Sequence, residues 1–172
     1  MDNLKTSVDA DGIARLTLSQ PARRNAITAA MWEALPGLLS ELQAKAPRVL
    51  IVEGDGEHFA AGADISEFET LYATPEASAK ISADIQAAFD ALAAFPQPTI
   101  ASVRGACVGG GAGLALCCDI RMADSTARFA ITPAKLGLVY PFGDVARLID
   151  AVGVANAKDV LLSARIIKAK PA

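Results

Sequence analysis

In 172 residues the sequence has one histidine, His58, and three cysteines, Cys107, Cys117 and Cys118. A zinc site takes about four nitrogen or sulfur ligands, and no C-x-x-C pair is present, so no metal site is expected. An odd number of cysteines in apolar surroundings reads instead as buried, reduced thiols. His58, in the loop Gly56-Glu57-His58, has no identifiable partner and is read as a surface residue rather than a catalytic one. Clustered basic charge is also missing: the net charge is -3, the pI is near 5.1, and Arg23-Arg24 is the one basic pair. Nucleic-acid binding needs Lys and Arg gathered against phosphates, so no nucleic-acid partner is expected. The longest uncharged stretch, Gly105 to Cys118, is rich in glycine and well short of the ~20 apolar residues that span a bilayer. It reads as a buried core segment, and no membrane partner is expected. The start Met1-Asp2-Asn3-Leu4-Lys5 lacks the basic residues and apolar run of a signal peptide, which makes a cytoplasmic location the expectation.

What remains suits one domain with a hydrophobic core. Leu4 to Val8 and Ile13 to Leu18 alternate on either side of Asp9-Ala10-Asp11-Gly12, which predicts a β-hairpin at a sheet edge. Thr28 then caps a helix with Met31, Leu35, Leu38, Leu39 and Leu42 on its apolar face, and Pro36-Gly37 is expected to kink it. Val49-Leu50-Ile51-Val52 reads as a strand buried on both faces. Thr74-Pro75-Glu76 opens a helix that places Ile81, Ile85, Phe89, Leu92 and Phe95 about a turn apart, and Pro96-Gln97-Pro98 stops it. Thr99 to Val103 is a second buried strand. After the glycine run, Leu114 to Cys118 reads as a small-residue helix, and Ile120 to Ala123 and Arg128 to Ile131 read as two more strands. Helices from about Asp144 and from about Asn156 follow. Strands alternating with amphipathic helices predict an α/β domain with much parallel pairing.

Two segments place backbone N–H groups at a tight turn after a buried strand: Phe59-Ala60-Ala61-Gly62-Ala63-Asp64-Ile65 and Val108-Gly109-Gly110-Gly111-Ala112. Glycine permits close approach to a ligand, and a helix N-terminus offers unpaired donors with a favourable dipole. Two such donors aimed at one point make an oxyanion hole. The triglycine serves equally well as a close-packing device, and both readings stay open on the residues alone. The phosphate loop G-x-x-x-x-G-K-[ST] is absent.

Taken together, Pro21-Ala22-Arg23-Arg24-Asn25-Ala26, Phe59 to Ile65, Gly105-Ala106-Cys107-Val108-Gly109-Gly110-Gly111 and Cys118-Asp119-Ile120-Arg121 resemble the crotonase (enoyl-CoA hydratase/isomerase) superfamily from the first hairpin to the chain's end. The resemblance implies a crotonase-like ββα spiral core, an acyl-CoA thioester bound in a bent shape, and an enolate or oxyanion held by the N–H groups of Ala63 and Gly110. It puts adenine and pantetheine contacts on Ala26, Ala61, Asp64 and Ile65, mainly through backbone, with Arg24 as a phosphate partner. No metal or redox cofactor is implied, coenzyme A being part of the substrate. The family also implies a homo-oligomer, a trimer or hexamer. Relatives continue into further helices, so residues 1–172 are expected to form the core domain without most of that C-terminal region.

Hydratases of this family use two glutamates, and the matching places hold Gly113, three residues after Gly110, and Pro133. Neither moves a proton, and losing such a group typically costs 10²–10⁴-fold, so ordinary hydration is not expected. Thr132, Pro133, Leu136, Gly137 and Tyr140 match the pattern of methylmalonyl-CoA decarboxylase-like members; a histidine that pattern carries stands here as Ala63. In one class of enoyl-CoA isomerases a glutamate stands where this chain has Phe142. Asp144, two residues on, is read as an N-cap in preference to a displaced acid/base, and Tyr140 as a packing aromatic whose hydroxyl also has the reach to meet the pocket. Three functions follow: an acyl-CoA enzyme of the hydratase/isomerase group, a decarboxylase-like or isomerase variant of it, or a protein that binds CoA esters without turnover.

Overall fold

The computed structural model describes residues 3–169. Strands β1 (Leu4–Val8) and β2 (Ile13–Leu18) form the expected antiparallel hairpin, with Leu4 opposite Leu18. Asp9 closes the turn by accepting from the N–H groups of Asp11 and Ile13. Helix α1 (Ala29–Ala44) begins where Thr28 Oγ1 accepts the Met31 N–H, and it runs unbroken through Pro36. Its buried face, Met31, Trp32, Leu35, Leu39 and Leu42, contributes roughly 1.5–3 kcal/mol per large side chain removed from water.

Strand β3 (Val49–Gly54) alternates buried with half-buried residues, so one face is fully buried and the other only partly, unlike the predicted strand buried on both. The single turn α2 (Phe68–Leu71) precedes α3 (Pro75–Ala93), whose Thr74 side chain accepts the Ala77 N–H and whose first residue is proline. Strands β4 (Thr99–Val103) and β5 (Ala106–Val108) lead into α4 (Gly110–Cys117). That helix starts four residues before the predicted Leu114, so Gly110, Gly111 and Gly113 lie inside it and Gly109 is its N-cap. Strands β6 (Ile120–Ala123) and β7 (Arg128–Ala130) follow, then α5 (Phe142–Ser163) and the short β8 (Ile167–Lys168). Gly153, at φ 77° and ψ 161°, breaks α5 into two helical halves, matching the two predicted helices.

The main sheet has the order β1-β2-β3-β4-β6, parallel after the first pair, and β5-β7-β8 make a second sheet. This is the α/β architecture of a ββα spiral. Two of the motif segments hold it together. Asn25 is fully buried, and its side-chain amide donates to the carbonyls of Asp55 and His58 while its Oδ1 accepts the Gln20 N–H. Asp119 Oδ2 accepts both the N–H and the hydroxyl of Thr99, tying the start of β6 to the start of β4. Among the described residues no helix is long and apolar enough to cross a membrane.

Candidate active site

The loop of residues 59–64 is stitched to its neighbours on alternate sides. Phe59 and Ala60 N–H donate to Arg104 and Ala106 carbonyls, and Val108 N–H returns a bond to Ala60. Two residues on, Ile27 N–H donates to Gly62 O and Asp64 N–H donates to Ile27 O. Extended backbone points successive N–H groups to opposite sides, so the Ala63 N–H between these bonds faces away from Ile27. Gly110 is its neighbour: the Ala63 nitrogen is 3.7 Å from where a Cβ on Gly110 would sit. Gly110 is the first residue of α4, and a helix's first N–H groups have no intrahelical acceptor. Among the described residues neither N–H donates to a backbone carbonyl. The two readings of the triglycine fall on different residues. Gly110 has the unpaired N–H, whereas Gly111 packs: a methyl there would lie 2.6 Å from Ala60 O and 2.7 Å from Ala60 Cβ.

Ala63 and Gly110 open onto a cavity of about 410 Å³. Of the predicted site residues, Ala61, Ile65, Thr132, Tyr140 and Asp144 line it with them. Three others do not. Arg24 is exposed, its carbonyl accepts the Ala61 N–H, and its side chain borders a second cavity beside His58, Arg104 and Arg128. Ala26 is buried, with its carbonyl taken by Gln20 Nε2. Asp64 turns its carboxylate to the Ser66 hydroxyl and N–H and to Arg23, which hold it below the usual carboxylate range. His58 is half-buried, and its Nδ1 accepts the Ala106 N–H, a structural duty.

Asp144 is not the N-cap that its position suggested. Pro141 takes that place, and Asp144 lies within the first turn, 5% exposed, as one of the residues lining the cavity. The proline fixes the start of the helix earlier and leaves Asp144 on its inward face. Burial pushes its carboxyl above the usual range, against the pull of Arg147. Oδ1 accepts from Arg147 Nη1 at 3.3 Å, and Oδ2 has no hydrogen-bond partner among the described residues. The Tyr140 hydroxyl is 3.4 Å from Gly109 O, and burial raises its pKa, keeping the phenol neutral.

The place of the first hydratase glutamate is physically filled. A Cβ on Gly113 would lie 2.4 Å from Phe89 Cζ, and that ring stands edge-on to Trp32 with centroids 5.4 Å apart. Sequence reading treated Phe89 as core and missed the rest of this wall: Trp32, Ser78, Ser82, Ile85 and Gln86 also line the cavity. The available signal was the four-residue spacing of Ser78, Ser82 and Gln86 beside the apolar Ile85–Phe89 stripe, a polar line that otherwise looks like a solvent face. Among the described residues no three His, Cys, Asp or Glu side chains gather as a metal site requires.

A protein of the enoyl-CoA hydratase/isomerase family from Hyphomonas neptunium superposes with a TM-score of 0.94 at 46% identity, covering 97% of this chain and 64% of that one. A Thermobifida fusca relative solved in complex with acetoacetyl-CoA gives a TM-score of 0.88 at 35% identity, over 98% of this chain and 69% of that one. The 2,3-dehydroadipyl-CoA hydratase of Escherichia coli is 37% identical over 161 residues, 91% of this chain and 60% of that protein. The chain spans between 59% and 66% of the length of the curated relatives it matches. Residues 9–172 match the enoyl-CoA hydratase/isomerase family itself, and with that match laid over a shared fold the chain belongs to the enoyl-CoA hydratase/isomerase family.

Proposed function

We propose that the cavity takes an acyl-CoA thioester, holds its carbonyl oxygen with the Ala63 and Gly110 N–H groups, and moves a proton through Asp144, so that the reaction is an enoyl-CoA isomerisation rather than a hydration. The observation that carries this is the meeting of the two unpaired N–H groups with one buried carboxyl, Asp144, in a single cavity. In this scheme Asp144 takes a proton from the α-carbon of a 3-enoyl thioester. The electron pair moves to the thioester oxygen, where the two N–H groups stabilise the negative charge. Asp144 then returns the proton to the γ-carbon as the double bond shifts to the α,β position and the carbonyl re-forms. A carboxyl raised by burial is a better base and a ready donor in turn. Hydration is disfavoured because Gly113 and Pro133 stand in the two glutamate places and Phe89 fills the first.

The neutral Tyr140 phenol beside Gly109 favours a second reading, in which carbon dioxide leaves a malonyl-type thioester and the phenol protonates the enolate. A panel of 3-enoyl-, 2-enoyl- and methylmalonyl-CoA, followed by mass spectrometry and absorbance, separates the readings. We expect turnover of 3-enoyl-CoA and a loss of 10²–10⁴-fold in kcat for Asp144→Asn. Retained isomerase activity in that variant refutes the role of Asp144. Decarboxylation without isomerisation selects the second reading, and tight binding with no turnover identifies a CoA-ester-binding protein. Hydration of 2-enoyl-CoA at ordinary rates overturns the reading of Gly113 and Pro133.

A further inference from the structure

Arg147 stands one turn after Asp144 on α5 and is not part of the cavity wall. Its two terminal nitrogens go to different carboxylates. Nη1 meets Asp144 Oδ1 at 3.3 Å, and Nη2 is bonded to Asp90 Oδ1 on α3. Its guanidinium carbon lies 5.9 Å from the centroid of the Phe89 ring, which fixes the fork from one side. Asp90 Oδ1 also accepts Gln86 Nε2 at 2.7 Å, and Gln86 returns to the cavity wall. The chain of contacts therefore leaves the cavity at Asp144 and re-enters it at Gln86.

We propose that Arg147 is a positioning residue for the Asp144 carboxyl, divided between Asp144 and Asp90 so that it anchors one oxygen, leaves the other to the cavity, and gives Asp144 only part of its charge. The inference rests on the reading of Asp144 as the proton carrier. An arginine committed to Asp144 alone would hold that carboxyl ionised and poor as a base. With the outer edge of the guanidinium engaged by Asp90, burial prevails and the carboxyl stays raised. The other titratable groups facing it are Cys117 on α4 and Tyr140 in the preceding loop. Burial pushes the Cys117 thiol up to about 12 and raises the Tyr140 phenol, so both are neutral where Asp144 titrates. Arg147 and Asp90 are left as the charges that set it.

The test uses two variants of opposite sign in the full chain. Asp90→Asn, at a side chain 59% exposed, releases Arg147 wholly to Asp144 and lowers its pKa; Arg147→Gln removes the cation and raises it. The readout is the titration of the Asp144 carboxyl carbon by ¹³C NMR, which needs no substrate. The pH profile of 3-enoyl-CoA turnover should move in the same two directions. Arg147→Gln should also lower kcat roughly ten- to hundredfold, less than removal of Asp144 itself, with KM little changed and partial rescue by Arg147→Lys. Shifts of the same sign in the two variants, or an unmoved Asp144 titration, overturn the inference. Retained isomerase activity in Asp144→Asn refutes the underlying reading instead, while the NMR titration still judges the Asp90–Arg147 arrangement.

Discussion

Replacing Gly113 tests whether Phe89 truly closes the first glutamate place. In Gly113→Ala the new methyl lies 2.4 Å from Phe89 Cζ, 3.0 Å from Cε2 and 3.1 Å from Cε1. Phe89 is 1% exposed and flanked by Trp32 and Arg147, which limit how far the ring can withdraw. Overpacking of this kind costs about 1–3 kcal/mol, and the upper part of that range applies to a ring so confined. Alanine recovers about 1 kcal/mol of helix propensity over glycine, which leaves a net loss of roughly 1–2 kcal/mol. For a chain of this size that is a fall in Tm of roughly 2–8 °C. The assay is thermal and urea denaturation followed by far-ultraviolet circular dichroism, run as a double-mutant cycle with Phe89→Ala. Phe89→Ala alone should cost about 3–5 kcal/mol. In its background the overlap is gone, so Gly113→Ala should become neutral or slightly stabilising, a coupling of about 1–3 kcal/mol. Gly113→Glu in the wild-type background adds an unpaired buried carboxylate to the same overlap and should fold worse than either single change. A Gly113→Ala protein as stable as wild type, or additive effects in the cycle, would refute the reasoning.

Two further outcomes concern titration. Asp64 is held low chiefly by Ser66, and also by Arg23, so its folded pKa lies below its unfolded one; the stability it adds is present above the ordinary carboxylate value and is lost as pH falls through the depressed one. Asp64→Asn should therefore destabilise by roughly 1–3 kcal/mol at neutral pH, with the difference from wild type shrinking as the solution is acidified; an equal difference at both ends of a urea-denaturation pH series contradicts this. Burial pushes the Cys117 and Cys118 thiols up to about 12 and raises Cys107 as well, so at mildly alkaline pH none should react with a thiol reagent until denaturant is added, and rapid labelling of the native chain would show the opposite.

Local chemistry made much of the fold readable. The Thr28 and Thr74 caps, Pro75 at a first helical position and the Pro96-Gln97-Pro98 stop all act through their own backbone neighbours, and each falls where the pattern put it. The start of α4 was not readable, because glycine disfavours a helix locally, whereas Gly110 and Gly111 are placed in one where they pack closely against Trp32 and Ala60. The alternating burial of β3 was hidden for a related reason: a run of apolar residues looks alike whether its second face is fully or partly covered. At the site, the Ala63 and Gly110 segments were legible as turns rich in small residues. The inward face of Asp144 was not, since it depends on where Pro141 starts the helix and on Phe89 and Asp90 of α3 meeting Arg147 from a distant part of the chain. The polar line Ser78, Ser82 and Gln86 was not legible as a cavity wall, because sequence alone does not say which side of α3 meets the loop at residues 132–141.

The alternation that turns the Ala63 N–H away from Ile27 has a consequence for how this site tolerates change. In the proposed function both oxygen-holding groups belong to the main chain, so among single substitutions only proline deletes one outright. Every other replacement leaves the donor and changes only its surroundings. In the proposed function proton transfer, by contrast, rests on side chains, which a substitution can remove outright, as Gly113 and Pro133 illustrate. Thioester capture and proton traffic are thus inherited on separate terms, and a chain can exchange the second while keeping the first.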